Sequence, residues 1–319
     1  MGRYLAKRIS LFIPTILLVS VLVFLIMNII PGDPAMMILM GEQGERDFTQ
    51  EQIDALRHKL GTDRPLPVQY GSWVWNMARG DFGTSMFYDE PVWDELKERF
   101  PTTLELVFLA FIISFGLAVP LGVLSAVKQD TPIDYIGRLL SISGIALPTF
   151  WLGIMVVMFL VWLFDWAPPL GYAKLWEDPL KNLSQMIFPA LVLGFYNMAF
   201  IARVTRSAML DVMREDFIRT ARSKGLWEVT VISRHALKNA FAPVLTVSGW
   251  QIGRLIGGTV IIESIFLVPG VGRTLIDAIF HRDFTMVQAV VFLVAFGVLL
   301  LNLIIDMVYA WLDPRIRYS

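Results

Sequence analysis

Cysteine is absent from the 319 residues. That excludes disulfides, thiolate metal sites and cysteine nucleophiles. Charge is scarce too: Asp, Glu, Lys and Arg make up 17% of the chain, against about 25% in an ordinary soluble domain. The formal net charge of −1 gives no general pull toward nucleic acid. Histidine occurs only as His58, His235 and His281, in separate segments and without metal-ligand spacing, so each reads as a surface residue. A phosphate-cradling loop needs G-x-x-x-x-G-K-[ST]; "GVGRT" at 270–274 lacks the lysine and the spacing, and "GRLIGGT" sits inside an apolar run. No G-x-S-x-G elbow occurs. These absences leave no catalytic constellation, so the chain is expected not to be an enzyme and to carry no cofactor or metal of its own.

Apolar sequence is what the chain has in quantity. Hydrophobic residues make up 55% and the mean hydropathy is +0.60, which points to a membrane protein. Arg3, Lys7 and Arg8 precede an uncharged run over 9–30. At about 22 residues it is long enough to span and too long for a signal-peptide core, so it reads as a retained first span. Further runs at about 103–127, 139–164, 187–209, 241–262 and 287–310 bring the expected total to six. The fold class is therefore all-α integral membrane, with six transmembrane helices. The expected organisation is a tail and first helix over 1–30 and an outer helical loop over 31–100. A five-helix core follows over 101–311, with a cytoplasmic loop at 210–240 and a tail at 312–319.

Basic residues set the expected orientation. Arg3, Lys7 and Arg8 place the N-terminus inside, and six spans return Arg315 and Arg317 to the same side. The loop after the fourth span, with Arg214, Arg219, Arg222, Lys224, Arg234 and Lys238, also falls inside. In the outer loop, Thr49 and Gln52 form a capping box ahead of a helix that Gly61 stops. "EPVWDELKERF" reads as a second short amphipathic helix, with Pro91 in its first turn. The loop is either a cap on the bundle or a surface for an outside partner. Thr102 and Glu105 read as a capping box opening the second span.

Three features stand out within the spans. Gly249, Gly253 and Gly257 recur every fourth residue and share a helix face. The face serves bundle packing, a seam with a second membrane subunit, or a gating hinge. Arg254 and Asp306 are intramembrane charges at different depths, so they do not pair with each other. Arg203 and Arg206 match Asp306 in depth, and an ion pair there is expected. Arg254 has no evident partner, and lines a wet cavity or faces another subunit. Glu263 ends the fifth span and is expected in solvent.

The stretch "DFIRTARSKGL", 216–226, is a short basic helix on the inner loop. Asp216 caps or opens it, Gly225 fits the left-handed stop, and Arg222 and Lys224 favour its C-terminal dipole. Phe217, Ile218 and Ala221 give it one small apolar patch. Alone it is marginal. It lies either on anionic lipid or, the better reading, in a cytoplasmic partner.

"DFIRTARSKGLWEVTVISRHALKNAFAPVLT" resembles the EAA loop of bacterial ABC-transporter permeases, in the form found in dipeptide and oligopeptide importers. Arg219, Thr220 and Ala221 occupy the E-A-A positions and Gly225 the glycine; Lys238 stands where the general pattern has proline. "PGDPA", "GDFGTS", "PTTLEL", "VIIESIFLVPGVGRTL" and "DPRIRY" follow the same subfamily in order along the whole chain. The resemblance is to the first permease subunit of dipeptide importers. It implies a type I ABC importer fold and a second permease chain. It also implies two cytoplasmic ATPases that hold ATP and Mg, and an extracytoplasmic binding protein that delivers peptide. Asp216, Phe217, Ile218, Arg219, Thr220, Ala221, Arg222, Lys224, Gly225 and Leu226 would couple to the ATPase. Alternatives are an autonomous ion-coupled transporter, or an ABC permease for glutathione, a nickel complex or a sugar.

Overall fold

A computed structural model describes residues 2–29, 32–33, 35–36, 39, 49–169 and 171–312. Most of the expected tail at 312–319, with Arg315 and Arg317, lies outside them, as does part of "PGDPA". The described chain is nearly all helical: α1 (Gly2–Ile29), α2 (Gln50–Leu60), α3 (Leu66–Ala78), α4 (Val92–Val127), α5 (Pro132–Ala146), α6 (Thr149–Phe164), α7 (Pro179–Met213), α8 (Asp216–Ser223), α9 (Leu237–Ile265), α10 (Val271–Phe280) and α11 (Phe284–Leu312).

Four described helices are long and apolar enough to cross a membrane: α1 from Arg8, α4, α7, and α11 to Met307. The pair α5 and α6, bent by 108°, makes a fifth. The expected third span, at about 139–164, falls on this bent pair. Pro148 pushes Leu147 out of helical geometry, to ψ 128, and the helix breaks there. α9 occupies the place of the expected fifth span. Its 29 residues reach about 43 Å at 1.5 Å per residue, but Arg254 and Glu263 lower its apolarity.

The second span also begins earlier than the capping-box reading implied. Thr102 and Glu105 lie inside the helix, and the expected short helix in 90–100 is the first quarter of α4. Buried positions recur at Val92, Leu96, Thr102, Thr103, Leu106 and Ala110. Apart from the adjacent pair Thr102 and Thr103, they fall at helical spacing on one face, a buried stripe that carries the helix through Pro101. The expected division at 100/101 thus falls inside a helix.

The chain forms two compact units, and their division falls within α4 and α10. In the first, α3 packs on α1: the Ser20 and Tyr70 hydroxyls are 2.7 Å apart, and Phe24 meets Tyr70 and Trp73. Trp73 in turn meets Phe292 of α11 edge-on. α2 keeps its expected ends, with Gln52 accepting the Thr49 N–H at 3.1 Å and Gly61 left-handed at φ +73. The connection before α4 is held by buried Asp283. Its carboxylate accepts the Ser85 hydroxyl and caps α11 through the Met286 N–H at 3.0 Å.

In the second unit α7 is central and packs against α5, α6 and α9. Tyr172, in the connection after α6, donates to Glu105 at 2.9 Å. Burial pushes its phenol up to about 12, so it stays a neutral donor.

Candidate functional site

α8 sits where α4, α7 and α9 come together at one end. Glu215 precedes it in extended geometry, Asp216 lies in its first turn and Arg222 in its last. Gly225 follows at φ +74, a conformation that costs glycine little. The helix has two faces, which corrects the single apolar patch read from the sequence. Ile218 is 0% and Ala221 6% exposed, in a cluster with Ala126 of α4, Met209 of α7, Val231, Ala236 and Ala240 of α9. Phe217 points the other way. With Leu226, Trp227 and Val229 it forms an exposed apolar group, Trp227 being 84% accessible. Arg219 and Lys224 are exposed beside it.

The return from α8 is shaped by Arg222, whose guanidinium grips Glu228 through two bonds, 2.6 and 3.2 Å. Residues Val231–Ala236 then form a π-helical turn into α9. Hydrogen bonds from Arg222 hold the Glu228 carboxylate below its usual range, against a smaller opposing effect of burial. A carboxyl group with a lowered folded-state pKa contributes its stability above the ordinary carboxylate range and loses it as pH falls. Glu228→Gln should therefore cost under about 1 kcal/mol at pH 7, since the pair is half exposed. The difference should vanish in denaturation curves taken well below pH 4.

The other expected site residues are dispersed. Arg206 does not serve Asp306. It donates to both oxygens of Asp134 at 2.7 and 2.8 Å, and Asp306 pairs with Arg8 of α1 at 2.9 Å. Asp134 also accepts the Ser125 hydroxyl and the Asp130 N–H, and is 0% exposed. A carboxylate so well supplied outcompetes a distant one. Arg203 stacks on Phe200, 5.0 Å from the ring centre. Arg254, expected without a partner in the chain, lies 5.2 Å from the Tyr196 ring of α7.

The glycine row of α9 is not one buried seam. Gly249 is buried, whereas Gly257 is exposed with nothing within 4 Å of its missing Cβ. Gly258 makes the close approach instead: a Cβ there would meet Leu193 at 2.9 Å. Trp250, Arg254, Gly257 and Ile261, at helical spacing, form an exposed stripe.

Glu263 is fully buried, not solvated. It accepts the Thr103 hydroxyl at 2.7 Å and the Arg273 N–H at 3.0 Å, while Thr103 accepts the Val271 N–H at 2.8 Å. The connection 267–273 folds around this carboxylate, with Gly270 and Gly272 against it. Sequence reasoning missed Asp134, Thr103 and Asp283 as organisers. Only the acid placed just after Thr131-Pro132 gave a signal, as a first-turn helix residue. Among the described residues no group of His, Cys, Asp and Glu is arranged to hold a metal.

A helical membrane bundle with an outward-facing apolar group on a short helix at one end fits a transport subunit. Residues 118–318 match the family described as binding-protein-dependent transport system inner membrane component, and residues 1–107 match its N-terminal membrane component. The chain belongs to this family: it is a multi-pass inner-membrane permease subunit of a transport system. It is 40% identical to the dipeptide transport system permease protein DppB of Escherichia coli K12, over 342 residues covering all of both chains. It is as similar to the di/tripeptide transport system permease protein DppB of Pseudomonas aeruginosa UCBPP-PA14, 40% over 339 residues, again covering both completely. A solved structure described as an amino acid ABC transporter with histidines shares the fold, with a TM-score of 0.52 at 15% identity, over 70% of this chain and 94% of that one.

Proposed function

We propose that the chain is one of two permease subunits of an ATP-driven importer for short peptides, and that α8 transmits the movement of a cytoplasmic ATPase to the bundle. The two-faced character of α8 carries this reading. Ile218 and Ala221 are locked into the ends of α4, α7 and α9, so a force on α8 reaches three long helices. Phe217, Leu226, Trp227 and Val229 remain open for a partner's cleft, with Arg219 and Lys224 at its rim. ATP and Mg belong to that partner, and both termini of this chain lie in the cytoplasm. The exposed stripe Trp250, Arg254, Gly257 and Ile261 on α9 is where a second permease chain, or the path beside it, would lie. The outer helices α2 and α3 face the side from which an extracytoplasmic binding protein delivers peptide, consistent with what the named relatives carry. The expected division into 1–30, 31–100, 101–311 and 312–319 remains a topological proposal on this reading.

Phe217→Asp tests it. Phe217 points away from the bundle, so folding should be unchanged by melting temperature. Docking should weaken about 30-fold, as for an interface hot spot, and ATP-driven dipeptide uptake by the complex in proteoliposomes should fall accordingly. Full-rate uptake in this variant, or ion-driven uptake by the chain alone, would remove the proposal.

A further inference from the structure

A second site lies at the same end of the second unit, where α4, α5 and α7 converge. A cavity of about 310 Å³ opens there, lined by Ser125, Gly137, Arg138, Ser141, Arg203 and Arg206 among others. Its floor is set by small residues. A Cβ on Gly122 would strike the Ala202 carbonyl at 2.6 Å, and one on Gly137 would meet Ser125 at 3.0 Å.

Three guanidinium groups meet in it, and their needs are unequal. Arg206 is committed to Asp134 through Nε and Nη2. Arg138 stacks on its neighbour Tyr135, 4.4 Å from the ring, but its buried Nε and Nη2 have no hydrogen-bond partner. Asp134 and Asp130 stand 3.6 and 3.8 Å from Nη2, too far for a hydrogen bond. Arg203 is exposed and rests on Phe200. Against Asp130 and Asp134, the three cations leave one positive charge and two unused buried donors. Buried donors left unpaired are costly, and an acceptor-rich anion would satisfy them.

Two observations favour a lipid over a free anion. The cavity is close to the helix ends: Ser125 is two residues from the end of α4, and Arg206 seven from the end of α7, about 10 Å along the axis. That is headgroup depth in a bilayer. Beside it α5 exposes Ile136, Leu139 and Ile142, an apolar face suited to acyl chains. We propose that this pocket seats the phosphodiester headgroup of an acidic phospholipid from the leaflet at the α8 end, with Arg138 and Arg203 as its ligands. The proposal is independent of the transported solute.

Native mass spectrometry of the full-length chain, exchanged into mixed micelles with phosphatidylglycerol or phosphatidylcholine, provides the test. Phosphatidylglycerol should be retained and phosphatidylcholine lost. Arg138→Gln with Arg203→Gln should lower retention about 30-fold, given the usual worth of each basic residue against acidic lipid. Arg203→Gln alone, at an exposed side chain, should lower it about fivefold and guards against a folding defect. Equal retention of the two lipids, or unchanged retention in both variants, would overturn the proposal. So would saturation of the site by millimolar inorganic phosphate, which assigns it to a free anion. Loss of the lipid on assembly with the second permease would overturn it too, by giving the surface to protein.

Discussion

Arg206→Leu is expected to destabilise the chain by about 3 kcal/mol, because it strips the buried Asp134 carboxylate of its hydrogen-bonded counter-charge. Both Arg206 bonds to Asp134 are short and run to separate oxygens, and Asp134 is completely buried. What remains, the Ser125 hydroxyl, the Asp130 N–H and the Arg138 guanidinium 3.6 Å away without a hydrogen bond, does not replace two charge-assisted bonds to a fully buried carboxylate. Thermal unfolding in detergent measures the loss. The cause is separable from a packing defect. Asp134→Asn combined with Arg206→Leu removes the charge along with its partner, and should recover most of the stability, as apolar or neutral replacements of buried ion pairs do. A single variant within about 1 kcal/mol of the parent, or a double variant no better than the single, would refute a buried ion pair as the organiser of α5 on α7.

Gly272→Val should cost about 3 kcal/mol, at the upper end for overpacking a tight site. A Cβ on Gly272 would sit 2.9 Å from both the Glu263 Oε2 and the backbone N of Val260, and closer still to the Val260 Cα. Backbone cannot swing aside as a long side chain can. The intruding group would also push Glu263 off the Arg273 N–H and loosen the connection from α9 to α10. Gly257→Val is the matched control, since nothing lies within 4 Å of that site. It should leave the melting temperature of the isolated chain unchanged. If both substitutions melt alike, the carboxylate-centred loop is not what holds this segment.

Much of the fold was legible because the bilayer imposes a simple rule: long apolar runs with basic residues at one end become spans. The runs at 187–209 and 287–310 lie inside α7 and α11 for that reason, as does the run from residue 9 to 29 inside α1, and the Thr49 and Gly61 signals bounded α2 correctly because both are local devices. The break at Leu147 was equally local, resting on the proline that follows, but the apolar run around it masked the signal. α3 went unread since it is short, opens at a proline and its Gly71 interrupts the pattern. The buried stripe that carries α4 through Pro101 depends on what packs against each residue, and a capping motif alone gave no hint of it.

The ion partners divide in the same way. Depth along a helix is set by residue count, so the sequence supplied the rough level of Arg206 and Asp306. Direction around the bundle is not set by it. Arg206 turned to Asp134, 72 residues away, and Asp306 to Arg8.

By itself, then, the sequence determined a membrane chain, the places of most of its long helices, and a short basic helix in 216–226 with a glycine stop, since composition and hydrogen-bond caps act over a few residues. Only the tertiary structure decided that Ile218 faces inward and Phe217 outward, that Glu263 is a buried organiser, and that three arginines share one pocket. Those outcomes depend on which helix faces lie opposite one another, and packing partners distant along the chain settle that.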